Sequence, residues 1–142
     1  MEIRGFTLIE TLIVIMMIAI LAAMVIPKLS NASAEARESA LAKDLSMIRS
    51  QIGIYKIHHG GTLPGQGGAD IVAQMLGTTD RQGNVVAGGT YGPYLPIFPT
   101  NPFTDTDTVE SGNGSPGGGQ TGWYYNTQTG LLSPDDDAHK DM

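Results

Sequence analysis

The sequence contains no cysteine, so no disulfide can stabilise the fold even in an oxidising compartment. It also lacks an excess of basic residues: the net charge is −6, which argues against nucleic-acid binding as its main role. No glycine cluster is followed by Lys-Ser or Lys-Thr, as a phosphate-binding loop requires. No order of Ser, His and Asp indicates nucleophilic catalysis. The sequence therefore predicts neither an enzyme nor a nucleic-acid-binding protein.

A long apolar run stands near the start of the chain. Phe6 to Ile26 comprises 21 residues with a single charged side chain, Glu10. As an α-helix this run would be ~31 Å long, which matches the hydrocarbon core of a bilayer. The apolar region of a secretory signal is shorter, at roughly 7–15 residues. The run therefore predicts a membrane-spanning helix rather than an ordinary cleaved signal.

Glu10 is unexpected in such a helix. A carboxylate at the centre of a membrane span costs roughly 2.5–3.5 kcal/mol, and less near an end. No other side chain of the run can pair with it as an ion. Cleavage after Gly5 would create an α-amine on Phe6, four residues upstream on the same helix face. A neighbouring copy could also supply this amine, and the helix N-terminus further favours a negative charge.

The segment Arg4-Gly5-Phe6-Thr7-Leu8-Ile9-Glu10 resembles the signature of type IV pilins and type II secretion pseudopilins. The resemblance implies that a prepilin peptidase cleaves between Gly5 and Phe6 and then methylates the Phe6 amine. It also implies that Glu10 meets this amine in an adjacent subunit during assembly. The implied location is first the inner membrane, as a precursor with its globular part outside the cytoplasm. It is then a periplasmic pseudopilus or a cell-surface pilus.

Within this family, the small domain without disulfides is most similar to the major pseudopilin. The first hypothesis is therefore a structural subunit of a type II secretion pseudopilus. The implied partners are copies of itself in a homopolymeric filament, minor pilins or pseudopilins, the prepilin peptidase, the inner-membrane assembly platform and the membrane. Two alternatives stay open. One is a type IV pilus pilin that serves adhesion, twitching motility or DNA uptake, and the other is a membrane-anchored monomeric binding protein.

The region after the apolar run predicts a continued helix. Pro27 indicates either a helix end or a kink, and the kink is favoured because helical patterning resumes. Gly60 and Gly61 then predict the end of the helix. Between these points, apolar residues at helical spacing predict one buried stripe on an amphipathic helix: Leu41, Leu45, Ile48, Ile52 and Tyr55.

The rest of the chain is rich in glycine and proline. Residues 69–76 predict a short helix and residues 85–87 a short strand. The prolines of 92–103 exclude a central strand, and the polar residues 104–121 predict an exposed loop. Residues 123–132 predict a β-hairpin with its turn at Asn126 to Gly130. Side-chain alternation places either Tyr124, or Trp123 with Tyr125, against the helix stripe.

The predicted fold class is α+β: a long N-terminal helix, membrane-spanning in its first half and amphipathic in its second, packed on a small antiparallel β-sheet as in pilins. The predicted segments are a leader peptide (1–5), a transmembrane or filament-core helix (6–26), its amphipathic continuation (27–60) and a small globular region (61–142).

Asp135, Asp136 and Asp137 are candidate calcium ligands, because Ca²⁺ prefers roughly six to eight oxygen ligands. The resemblance to major pseudopilins implies a calcium site in the C-terminal loop, although this ending departs from the usual calcium loop. A solvated acidic tail is the alternative. The adjacent His58 and His59, at the predicted helix end, favour a structural role over zinc binding.

Overall fold

The computed structural model describes residues 7–142 except for the side chains of Pro27 and Ser30. These described residues form two α-helices and three β-strands, together with a 3₁₀ helix at Gln66–Gly68: α1 (Leu8–His58), α2 (Ile71–Leu76), β1 (Val109–Gly112), β2 (Trp123–Asn126) and β3 (Leu132–Pro134). The chain divides into two compact units, Met1–Glu38 and Ser39–Met142. The second unit therefore contains the end of α1 as well as the predicted globular region.

In the first unit, α1 is apolar on all sides from Leu8 to Ile26, apart from Glu10 and Thr11. Its large apolar side chains from Leu8 to Leu29 are 45–85% exposed. The helix passes position 27 without a break, so the alternative of a helix end at Pro27 is wrong. The kink at Pro27 stays a prediction.

The second unit has one hydrophobic core, and the predicted stripe of α1 forms one wall of it. All five stripe residues are at most 4% exposed, which confirms the prediction. The core also takes side chains from α2, from β2 and β3, and from the proline-rich segment. Its remaining buried members are Leu63, Ile71, Met75, Tyr94, Leu95, Phe98, Trp123, Tyr125 and Leu132.

Two glycines end α1 as predicted. The Gly61 N–H donates to the Lys56 carbonyl at 2.8 Å and the Gly60 N–H donates to the Ile57 carbonyl at 3.4 Å. Gly60 has a φ of 64°, a left-handed conformation that costs glycine little. These two bonds form a Schellman motif, which satisfies carbonyl groups that the last helical turn leaves open.

The predicted short helix is confirmed as α2. The carboxylate of Asp70 accepts a hydrogen bond from the Val72 N–H at 2.9 Å, which is a standard N-cap. The predicted strand at 85–87 is wrong. Only an isolated bridge joins Thr79 to Val85, because the glycine-rich surroundings give this segment no partner strand of regular length.

The sheet has the order β1-β2-β3. Strands β2 and β3 are antiparallel, with Tyr125 opposite Leu132, so the predicted hairpin is confirmed. Strands β1 and β2 are parallel, with Val109 opposite Trp123. The sheet is therefore mixed rather than antiparallel throughout, and residues 104–121 are not all loop. The cause is the segment 113–122, which returns the chain so that β2 runs in the same direction as β1.

The two faces of β2 have different neighbours. Trp123 and Tyr125 belong to the hydrophobic core, and the indole N–H of Trp123 donates to the Pro99 carbonyl at 2.8 Å. Tyr124 points to the opposite face because side chains alternate along a strand. Of the two arrangements predicted, the pair Trp123 and Tyr125 faces the stripe of α1.

Candidate functional site

The candidate site is the start of α1. Gly5 and Phe6, the predicted cleavage and methylation residues, lie outside the described residues. Their roles stay predictions. The described chain begins at Thr7, and Glu10 lies in the first turn of α1.

Thr7 and Glu10 cap this helix reciprocally. The backbone N–H of Glu10 donates to the Thr7 hydroxyl at 3.3 Å, and the backbone N–H of Thr7 donates to the Glu10 carboxylate at a long 3.5 Å. Such a capping box satisfies two N–H groups that the first turn leaves open. The spacing Thr-x-x-Glu is its sequence signal, which is independent of any ionic partner of Glu10. Glu10 therefore has a polar contact within its own chain, although a weak one and not an ion pair.

The helix that follows this cap is long and apolar enough to cross a membrane. An 18-residue window within Leu8–His58 has a mean hydropathy of 2.8, and 0% of that window is buried within the described chain. Length and composition alone support this statement. The cap thus places one carboxylate at the N-terminal end of an apolar helix whose side chains are exposed within the described chain.

Comparison with known proteins adds two matches. Residues 2–26 match the family described as "Prokaryotic N-terminal methylation motif". The type II secretion system core protein G of Dickeya chrysanthemi is 35% identical over 54 residues. These matches support the type IV pilin and pseudopilin family for this chain.

The second match is partial. It covers 38% of this chain and 35% of the Dickeya protein, so the chain spans about a third of the length of this relative. No solved structure matches the chain significantly. Both matches point to structural pilin and pseudopilin proteins rather than enzymes. The apolar helix and the prepilin motif are consistent with membrane anchoring.

Asp135, the first of the candidate calcium ligands, is buried at 1% exposure. One carboxylate oxygen accepts from the backbone N–H of Gly117 at 2.9 Å and of Gly118 at 3.1 Å. The other accepts from the Thr121 N–H at 3.2 Å and the Thr121 hydroxyl at 2.8 Å. Burial acts to raise the pKa of Asp135, but these hydrogen bonds outweigh it, so the pKa lies below its ordinary value.

Asp136 and Asp137 have other partners. Asp136 pairs with His139, and the Lys140 ammonium lies 2.9 Å from Asp137. One oxygen of Asp136 is buried without a hydrogen-bond partner among the described residues. Within residues 7–142, no group of three or more His, Cys, Asp or Glu side chains could hold a metal ion. The three aspartates therefore do not form a set that fits calcium, and calcium binding stays a prediction.

Arg49 lies on α1 outside the predicted apolar stripe, but it is half-buried. Its Nε donates to the Leu132 carbonyl at 2.9 Å, and its Nη2 donates to the Met142 carbonyl at 2.6 Å. Burial lowers the pKa of Arg49 from its ordinary value. Arg49 therefore ties α1 to β3, a role that helical spacing alone does not reveal.

The two histidines lie in structural positions. The ring of His59 is buried and contacts the Tyr55 carbonyl at 2.8 Å and the Asp80 carbonyl at 3.0 Å. His58 contacts the Tyr94 hydroxyl at 3.1 Å. These contacts join the end of α1 to the loops around it, as the structural interpretation predicts.

Proposed function

We propose that this chain is a structural subunit of a type II secretion pseudopilus, cleaved after Gly5 and polymerised through α1. The observation that carries the proposal is Glu10, the single charge in the run from Phe6 to Ile26. It lies one helical turn from the amine that cleavage would create. The match to the N-terminal methylation motif and the printed name of the Dickeya relative support this assignment.

The exposed apolar surface of α1 supports polymerisation. Monomeric proteins rarely expose large contiguous apolar patches to water, so α1 requires lipid or protein around it. In the membrane, lipid covers these side chains. In a filament, the α1 helices of neighbouring copies replace the lipid, and the apolar surface never meets water.

Glu10 would set the register of this packing. A carboxylate in an apolar environment is costly unless it is paired. The long capping contact with the Thr7 N–H compensates the carboxylate only in part. The Phe6 amine of an adjacent copy would supply a full positive charge, and methylation of an amine preserves that charge.

A membrane-anchored monomer is the second candidate function. The capping box favours it, because Glu10 then serves only to start α1. The two roles make different demands on residue 10. A capping box accepts Gln as well as Glu, whereas an ion pair requires the carboxylate.

The experiment expresses the full chain with a pseudopilus assembly system and measures filaments by microscopy. Glu10→Gln removes the charge and keeps the cap, and Glu10→Ala removes both. Glu38→Gln is the matched control, because Glu38 is an exposed carboxylate on α1 beyond the apolar run. We expect cleaved but unpolymerised protein from both Glu10 variants, and normal filaments from the control.

The outcomes separate the two roles. Normal filaments from Glu10→Gln, together with none from Glu10→Ala, would mean that Glu10 acts in assembly by capping α1 and not by pairing its charge. Normal filaments from both would refute the role of Glu10 in assembly. Monomers from the unchanged chain, with assembly of a reference pseudopilin in the same system, would favour the anchored monomer.

Processing is tested separately by the mass of the mature N-terminus. We expect the loss of residues 1–5 and the gain of one methyl group. Gly5→Leu should leave intact precursor in the membrane, and an unchanged product would contradict cleavage at this bond. Retention of exported proteins in the periplasm of a strain without this subunit would support secretion, whereas loss of surface filaments would support a type IV pilus.

A further inference from the structure

The segment that joins β1 to β2, residues 113–122, approaches the face of the sheet opposite the core. An added methyl group at Gly114 of this segment would lie 3.2 Å from the Tyr124 hydroxyl, and one at Gly112, the last residue of β1, would lie 3.1 Å from it. Tyr124, on the face opposite the core, is only 5% exposed. This glycine-rich segment, called here the cover loop, therefore lies close to the hydroxyl of a buried tyrosine on the outer face of β2.

Asp135 holds the cover loop from the far end of β3. Its two carboxylate oxygens accept the four hydrogen bonds from Gly117, Gly118 and Thr121 described above. Its carbonyl also accepts from the Gly119 N–H at 2.6 Å. Hydrogen bonds to an ionised acceptor are roughly twice as strong as neutral ones. One buried side chain thus organises a loop whose glycines have little conformational preference of their own.

We infer that Asp135 fixes the cover loop directly, in place of a bound cation, so that this chain folds its loop without calcium. This inference goes beyond the proposed function, which concerns α1. It also departs from the calcium site that the resemblance to major pseudopilins implies.

The chemistry of the donors carries the inference. Each Asp135 oxygen already accepts two hydrogens from N–H or O–H groups. A cation at the same oxygens would face the positive ends of those dipoles, so the arrangement suits an anion and repels a metal ion. Calcium prefers carboxylate and carbonyl oxygens, whereas Asp136 Oδ2 already pairs with His139 and Asp137 Oδ1 with Lys140.

The first test is thermal unfolding of the full chain in detergent micelles, with the fluorescence of Trp123 as the measured signal. The unchanged chain should have the same Tm in millimolar Ca²⁺ and in EDTA. Asp135→Asn should lower the Tm by about 5–10 °C in both solutions. Asp137→Asn is the matched control, since its exposed carboxylate pairs with Lys140 and accepts no hydrogen bond from the cover loop among the described residues, and it should leave the Tm unchanged.

A Tm that rises by several degrees with Ca²⁺ in the unchanged chain, but not in Asp135→Asn, would overturn the inference. An unchanged Tm in Asp135→Asn would also do so, because the carboxylate would then not hold the loop. Neither readout depends on cleavage or on filaments, so failure of the proposed function would leave this result intact.

Hydrogen exchange of the unchanged chain gives a second test that needs no variant. The amides of Gly117, Gly118 and Thr121 should be protected in EDTA, because each donates to the Asp135 carboxylate. Calcium should add no protection. Amides that exchange freely in EDTA and become protected when Ca²⁺ is added would show that a metal orders the loop, and would refute the inference.

Discussion

Two isoleucines of α1 provide a direct test of how the second unit is stabilised. Ile48 is fully buried in the core at 0% exposure, whereas Ile57 is 78% exposed. Both lie on the same helix and offer the same side chain. Substitution of each by alanine removes the same atoms from a buried and from an exposed position of α1, so the difference between the two variants reports mainly on burial.

The expected magnitude for Ile48→Ala follows from the atoms removed. About three methylene equivalents at ~0.8 kcal/mol each give ~2.4 kcal/mol of lost transfer free energy. The cavity left behind raises this toward ~3.5 kcal/mol, within the measured range of about 2–5 kcal/mol. The better helix propensity of alanine offsets roughly 0.4 kcal/mol. The free energy of unfolding should therefore fall by about 3 kcal/mol.

Thermal unfolding of the full chain in detergent micelles measures this difference, with Trp123 as the fluorescent reporter. For a domain of about 100 residues, each kcal/mol corresponds to roughly 4–8 °C in Tm, so Ile48→Ala should melt ~12–24 °C lower. Ile57→Ala should stay within about 0.5 kcal/mol of the unchanged chain. Equal melting temperatures for the two variants would refute the assignment of Leu41 to Tyr55 as a core-facing stripe.

Three further predictions concern the same unit. Gly122→Ala should destabilise the second unit by more than ~2 kcal/mol in urea unfolding, since a methyl group there collides with the Thr106 carbonyl. Gly53→Ala is its control, because the added methyl group meets no described atom within 4 Å, and it should stabilise α1 by roughly 0.5–1 kcal/mol. Acid titration should reveal the contribution of Asp135 to stability. Because its pKa is lowered in the folded state, this contribution is complete above the unfolded pKa, near ~3.9, and is lost as the pH falls through the lower folded pKa. Asp135→Asn should therefore lose less stability on acidification than the unchanged chain. Arg49→Ala should lower the thermal stability by about 1–3 kcal/mol, because two carbonyl groups lose a charged donor, and an unchanged Tm would contradict that role.

The helical part of the second unit was predictable from the sequence. The stripe from Leu41 to Tyr55 repeats at helical spacing, and Gly60 with Gly61 signals a stop, so periodicity and backbone freedom specify this part locally. The hairpin was predictable for the same reason. The aromatic residues Trp123, Tyr124 and Tyr125 favour a strand and are followed by a turn that ends in glycine, although the sequence leaves open which of them faces the core.

Strand β1 was not predictable from the sequence. Val109–Gly112 contains one large apolar residue and no alternation, and its conformation comes from pairing with β2. The parallel direction depends on the cover loop, which in turn depends on Asp135. A contact between residues 117 and 135 has no local sequence signal, so the acidic run at 135–137 resembles a metal site or a solvated tail.

The site at the start of α1 was predictable in part. Glu10 is identifiable as a functional residue because a charge in an apolar run is costly. The motif around Gly5 and Phe6 is specific. The capping box with Thr7 was not predicted, because its partners are backbone N–H groups and not an opposite charge. Arg49 was missed because a helical pattern assigns a cation to the solvent side, whereas its long side chain reaches back to β3.

The contact between Arg49 and Leu132 has a consequence for aggregation. Strand β3 ends the sheet order, and terminal strands commonly recruit strands from other molecules. Here the Leu132 carbonyl already accepts a hydrogen bond from the Arg49 guanidinium, and Pro134 has no N–H to donate. Two edge positions of β3 are therefore unavailable to an incoming strand, so we expect little intermolecular β-pairing along β3 even at high local concentration.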